Sequence, residues 1–202
     1  MKMQKHNDSG APHHLTLREA DELDTMDEGE LSDNLPDLAS EIGWIIIYFN
    51  SLEDDISSFI REAILRDAIQ DERMDVFLAG MMFSAKARGL LDLYGQMIES
   101  GGLAVTLEDL RKVDVLITEC ATLRNEYAHA HWIGMKVGGY VRVKSQSKRS
   151  GISNRYKRYD LARVQADANF INEARDTLFE FNERMWDQLR AHGKVPVEQR
   201  LS

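Results

Sequence analysis

Apolar residues recur at three- and four-residue steps along four long stretches of this chain, with polar positions filling the opposite faces. In residues 36–63 the stripe is Leu38, Ile42, Ile45, Phe49, Leu52, Ile56, Ile60 and Ala63. It predicts a helix of about eight turns, opened by Pro36. Trp44, Ile46 and Ile47 widen the stripe, so this helix is expected to pack on two sides. A second helix is predicted over 74–99, stopped by Ser100-Gly101-Gly102, and its broad apolar surface makes it the expected central helix. Lys86 lies amid that surface and either snorkels to solvent, the favoured reading, or meets a carboxylate. A third helix begins after Thr106, a natural cap, and ends near residues 124–132. A last helix spans about 160–191, its buried face marked by Leu161, Val164, Ala168, Ile171, Leu178 and Met185.

The period changes once. Residues 133–144 alternate around Gly138-Gly139 and read as a β-hairpin. Residues 145–157 are either a polar, basic loop or a continuation of that ribbon. The predicted fold is therefore all-α: a bundle of four long helices, antiparallel where links are short, with a β-hairpin inserted between the third and fourth. Residues 1–34 read as an acidic, mostly disordered leader, 35–192 as the helical domain and 193–202 as a tail.

Charge sharpens this division. The net charge is −9, which argues against indiscriminate nucleic-acid binding. Residues 19–33 nevertheless hold eight acids and no base, and residues 127–159 hold eight bases and no acid. The leader is either a solvated tail or a cover for the basic segment. A single cysteine, Cys120, sits in an apolar helical pattern and reads as a small buried hydrophobe; it fits a reducing, cytoplasmic setting. The strongest apolar run, 43–49, is far too short to span a membrane.

The richest chemistry lies in Arg124-Asn125-Glu126-Tyr127-Ala128-His129-Ala130-His131-Trp132. Arginine is a permanent forked donor for phosphate oxygens. Histidine exchanges protons near neutral pH. Asn125 and His129 are four residues apart and share a face if the helix continues. Spacing alone also allows a surface pair of Arg124 with Glu119 or Glu126, or a histidine that serves only the helix dipole. No companion ligand accompanies His129-x-His131, so no metal and no cofactor is predicted.

Arg124-Asn125-x-x-x-His129 resembles the motif of the HEPN (higher eukaryotes and prokaryotes nucleotide-binding) superfamily: an arginine, four to six residues, then a histidine, with a polar residue after the arginine. The resemblance extends over residues 36–190 at the level of an all-α bundle with the motif near the end of a late helix. It implies a metal-independent endoribonuclease acting as a homodimer, two motifs forming one composite site. Carried over, His129 acts as general base or acid, Arg124 holds the scissile phosphate and Asn125 orients either. The implied product is a 2′,3′-cyclic phosphate with a 5′-hydroxyl, and the implied settings are toxin–antitoxin or antiphage systems with a regulatory protein partner. The superfamily also contains inactive binding modules for RNA, nucleotides or proteins. Tyr127 and His131 are auxiliary candidates, and Arg142, Lys144, Lys148 and Arg149 are the expected RNA contacts. Two departures stand out: Glu126 places a negative charge within the motif, and His131 occupies a position that is tyrosine in some toxin members.

Overall fold

A computed structural model describes residues 14–15, 18–19, 22–26, 28–65, 73–136, 139–148 and 151–192. The chain is mostly helical, with a small antiparallel sheet. The helices are α1 (Glu28–Ile64), α2 (Arg73–Leu78), α3 (Phe83–Gly101), α4 (Leu107–Ala128) and α5 (Leu161–Ala191). The strands are β1 (His14–Leu15), β2 (His131–Gly134), β3 (Tyr140–Lys148) and β4 (Gly151–Tyr159). Among the described residues no helix is long and apolar enough to cross a membrane.

Local chemistry explains most boundaries. At the start of α4, Thr106 Oγ1 accepts from the Asp109 backbone N–H at 3.2 Å. Asp109 Oδ2 accepts from the Thr106 N–H at 3.3 Å. This reciprocal cap satisfies two amides that lack helical partners. Asp160 does the same for α5 by accepting from the Arg163 N–H at 2.7 Å. Gly102, at φ +60°, ends α3 in the left-handed conformation that glycine adopts without strain.

Two helix predictions are corrected. The first helix starts at Glu28, not at Pro36, which lies inside it. Glu30 supplies negative charge to its first turn, where the helix dipole favours it. The predicted 74–99 helix is two helices. Gly80 N–H bonds to Phe77 O and Met81 N–H to Leu78 O, tightening the chain into i→i−3 turns. Met82 is then extended at ψ 150° before α3 begins. Glycine's low helix propensity permits the break. Val76, Phe77 and Met82, apolar residues within the predicted helix, are exposed.

The chain divides into two compact units. One holds the described residues of Ile45–Asn125 and Asn169–Ser202. Its core comes from Phe49, Leu52 and Ile56 on α1, Leu90 and Tyr94 on α3, Ile117 and Cys120 on α4, and Leu178, Phe181 and Met185 on α5. Several of the polar groups that enter it have partners. Tyr94 Oη donates to Asn182 Oδ1 at 2.5 Å, and Asn182 Nδ2 donates to Glu62 at 3.2 Å. Lys86 takes the less favoured of its two expected roles: its ammonium is buried and lies 2.8 Å from Glu53 Oε1. Burial pushes the Cys120 thiol up to about 12, so it behaves as the small apolar side chain expected.

The other unit holds the described residues of Met1–Trp44 and Glu126–Ala168. Its strand order is β1-β4-β3-β2. The predicted hairpin is β2–β3, with Ile133 opposite Val141. The basic segment after it is the ribbon continuation, β4, in register from Tyr140–Tyr159 to Lys148–Gly151. Leader residues meet both sheet edges. His14–Leu15 pairs with β4, and Thr25 bridges to Met135 beyond β2. Edge strands with unpaired amides invite association, and these contacts cover part of each edge. Lys136 lies 3.7 Å from Asp24 and 3.9 Å from Glu30, so leader acids do meet one base of the basic segment.

Candidate functional site

The motif begins on the last turn of α4 and ends just beyond it. Arg124, Asn125, Glu126 and Tyr127 are helical, and Ala128 is the last helical residue. His129 follows in a turn and His131 opens β2. The i,i+4 argument that paired Asn125 with His129 therefore loses its helical basis. Asn125 instead accepts from Arg124: Nη1 to Oδ1 is 3.0 Å. The Arg124 guanidinium lies 5.4 Å over the Phe49 ring, and its Nε is buried with no hydrogen-bond partner among the described residues. Asn125, His129 and His131 are exposed.

Glu126 does not neutralise Arg124. Its Oε2 lies 2.7 Å from Arg142 Nη1 and 3.7 Å from Lys157 Nζ. Burial works to raise the Glu126 carboxyl. The Arg142 contact and the charges of Arg142, Lys157 and Lys144 outweigh it and hold the group below its ordinary range. The departure noted in the sequence is thus absorbed by the strands.

Tyr127, the auxiliary candidate, is buried in a hydrogen-bonded network. It is 2% exposed and donates to Asp167 Oδ2 at 2.7 Å, while Arg163 holds Asp167 Oδ1 at 3.0 Å. Burial first, then the hydrogen bond to Asp167 and its charge, push the phenol far above its ordinary value. Its ring stacks on Trp132 at 5.6 Å and meets Tyr159 edge-on at 5.7 Å.

The basic segment is not uniformly accessible. Arg142, Lys144, Arg155 and Lys157 pair across the β3–β4 ladder on one face, with Arg158 on the other, and along the shared face Arg142 and Lys157 are the more buried while Lys144 and Arg155 are exposed. Arg142 is 6% exposed, paired with Glu126, and its guanidinium lies 5.5 Å over Tyr159. An expected RNA contact, it offers little exposed surface. Lys157 is partly buried on the same face, 5.1 Å from the Tyr159 ring centre, and desolvation lowers its ammonium from the ordinary value. Lys144, Arg155 and Arg158 are exposed. Lys148 ends β3, and Arg149 lies outside the described residues.

The Glu126–Arg142 and Tyr127–Asp167 pairs were missed in the sequence. Their only signal was an acid and a tyrosine inside the motif, with no hint of partners 16 and 40 residues on. Among the described residues no group of three or more histidine, cysteine, aspartate or glutamate side chains is placed to hold a metal. No family model, no curated protein and no solved structure matches this chain.

Proposed function

We propose that this chain is a HEPN-like domain, its long helices forming a four-helix bundle with the sheet inserted before the last, and that it is a metal-independent endoribonuclease acting as a homodimer. Arg124 binds the scissile phosphate, Asn125 steers the guanidinium, and His129 moves the proton of the 2′-hydroxyl or of the leaving oxygen. Lys144 and other exposed bases of the ribbon attract the strand.

One observation carries the reading. Arg124 has no ion pair among the described residues and hydrogen-bonds to Asn125, while the nearest carboxylate in sequence, Glu126, is engaged by Arg142 and Lys157. A structural surface arginine has no need of that separation, whereas a phosphate clamp loses its use beside a free carboxylate. The exposure of His129 fits a group that must reach substrate.

The test is cleavage of a panel of single-stranded RNAs in chelator by the wild type, Arg124→Ala and His129→Ala. The expected result is cleavage by the wild type alone, leaving cyclic phosphate ends. Equal activity in all three removes the enzyme reading. Light scattering is expected to give a dimer at micromolar concentration; a monomer counts against a composite site. A binding-only module is the second reading. It is favoured by the burial of Arg142, which thins the basic surface, and it predicts RNA or nucleotide binding that survives His129→Ala without cleavage.

A further inference from the structure

Within the unit that contains Ile45–Asn125, a groove of about 460 Å³ runs between α3 and α4. That volume is in the range of small-molecule sites. Phe83, Ala87, Leu91, Ile117 and Ala121 give it apolar walls. Asp92 and Asp114 give it carboxylates. The α4 wall is a helical stripe, Asp114, Ile117, Thr118 and Ala121. Three and four residues further on, the same stripe reaches Arg124 and Asn125. Arg124 follows Ala121 by roughly 4.5 Å of helix axis. The α3 wall ends at Phe83, whose ring centre is 4.4 Å from that of Phe49, the ring beneath the Arg124 guanidinium. An aromatic step therefore joins the arginine to the groove.

We propose that this groove is a nucleobase subsite for guanine, taking the base next to the phosphate held by Arg124; it rests on the phosphate-binding reading of that arginine. Single-stranded bases are bound through their faces by aromatic and apolar groups and through their Watson–Crick edges by hydrogen bonds. Phe83 and the apolar walls suit the face. Arg88, which also lines the groove, offsets Asp92, whereas the Asp114 carboxylate repels phosphate and calls for an occupant that offers N–H donors there. Guanine offers two side by side, N1–H and the 2-amino group, which one carboxylate accepts together. Asp114 is assigned that role. Asp92 already has Arg88 at 3.8 Å, whereas among the described residues Asp114 has only a long 3.5 Å contact from Thr118 Oγ1 on its own helix.

Calorimetry on the full chain carrying His129→Ala tests this, with guanosine, inosine, adenosine and uridine 3′-monophosphates and free guanosine as probes. Guanosine 3′-monophosphate is expected to bind about tenfold more tightly than the other nucleotides. Asp114→Asn is expected to erase that preference. Ala121→Trp and Ser84→Tyr, which fill the groove from either wall, are expected to abolish binding while helical circular dichroism is kept. Arg124→Ala is expected to weaken the nucleotide but not guanosine. Equal affinity for the four nucleotides, or binding indifferent to both filling variants, overturns the subsite. Loss of guanosine and nucleotide alike with Arg124→Ala overturns its link to the arginine. RNA cleavage that survives groove filling leaves the ribonuclease reading standing without the subsite. Guanine binding by a chain that cleaves no RNA keeps the subsite and removes the ribonuclease.

Discussion

The Glu126 carboxylate and the Arg142 guanidinium stand 2.7 Å apart, one on the last turn of α4 and the other on β3. Arg142 faces Lys157 directly across the β3–β4 ladder. Two like charges so placed repel. Glu126 lies within reach of both and relieves that repulsion. The motif segment and the sheet are thus tied by charge as well as by the ring contacts of Tyr127.

Removing the arginine leaves Glu126 with Lys157 alone. Arg142→Met is expected to destabilise the chain by about 3 kcal/mol, since a largely buried pair loses one member. Because the folded state holds Glu126 below its ordinary value of 4.5, the pair's contribution is full above that value. It fades as pH falls through the lowered value, where the carboxylate is protonated. Urea melts from pH 7 downward are expected to show this acid loss in the wild type and a shallower one in Glu126→Gln. Identical pH slopes would falsify the assignment.

Lys86 and Glu53 give an asymmetric pair of substitutions. Glu53→Ala strands a buried ammonium, whereas Lys86→Met removes the charge and keeps the packing. The first is expected to cost about 3 kcal/mol and the second near zero. Thermal melts of both check the order; a reversal means that the ammonium finds water without Glu53.

Tyr94→Phe keeps the ring in the core and deletes the donor to Asn182 Oδ1. An unpaired buried carbonyl costs about 1–3 kcal/mol. Denaturant unfolding is expected to fall in that range. A double-mutant cycle with Asn182→Leu is expected to give non-additive losses, because Asn182 links Tyr94 to Glu62 and its removal takes a donor from that carboxylate.

Gly139 has φ +93°, and a Cβ there meets the Tyr159 carbonyl oxygen at 2.3 Å. Gly139→Ala is expected to cost roughly 2 kcal/mol from the backbone conformation alone. Amide exchange is expected to rise in β2 and β3 before the helices. Unchanged protection there would show that the turn simply rearranges.

Tyr127 separates structure from chemistry. If its phenol only holds Asp167, Tyr127→Phe lowers RNA cleavage by less than about tenfold, far from the loss of a general acid. A larger drop in kcat with unchanged melting temperature places the hydroxyl in the reaction.

Legibility followed the range of the forces involved. The stripes of α1, α4 and α5 were readable because burial on a helix repeats every three or four residues, and Leu38, Ile45, Phe49, Leu52 and Ile56 are all buried. The break at residues 79–82 was not, because Val76, Phe77, Met81 and Met82 keep the helical period although the chain turns out of it. In the motif, the residue types were visible and their partners were not.

The sequence by itself determined the mostly helical composition, the Thr106 cap, the Gly102 stop and the ribbon after His131, since each depends on residues within one or two turns. Only the tertiary structure decided that Arg142 and Lys157 face inward to Glu126 and that Tyr127 is held by Asp167. Those outcomes depend on which strand face meets which helix end, and a side chain's neighbours across 16 or 40 residues are set by packing, not by spacing.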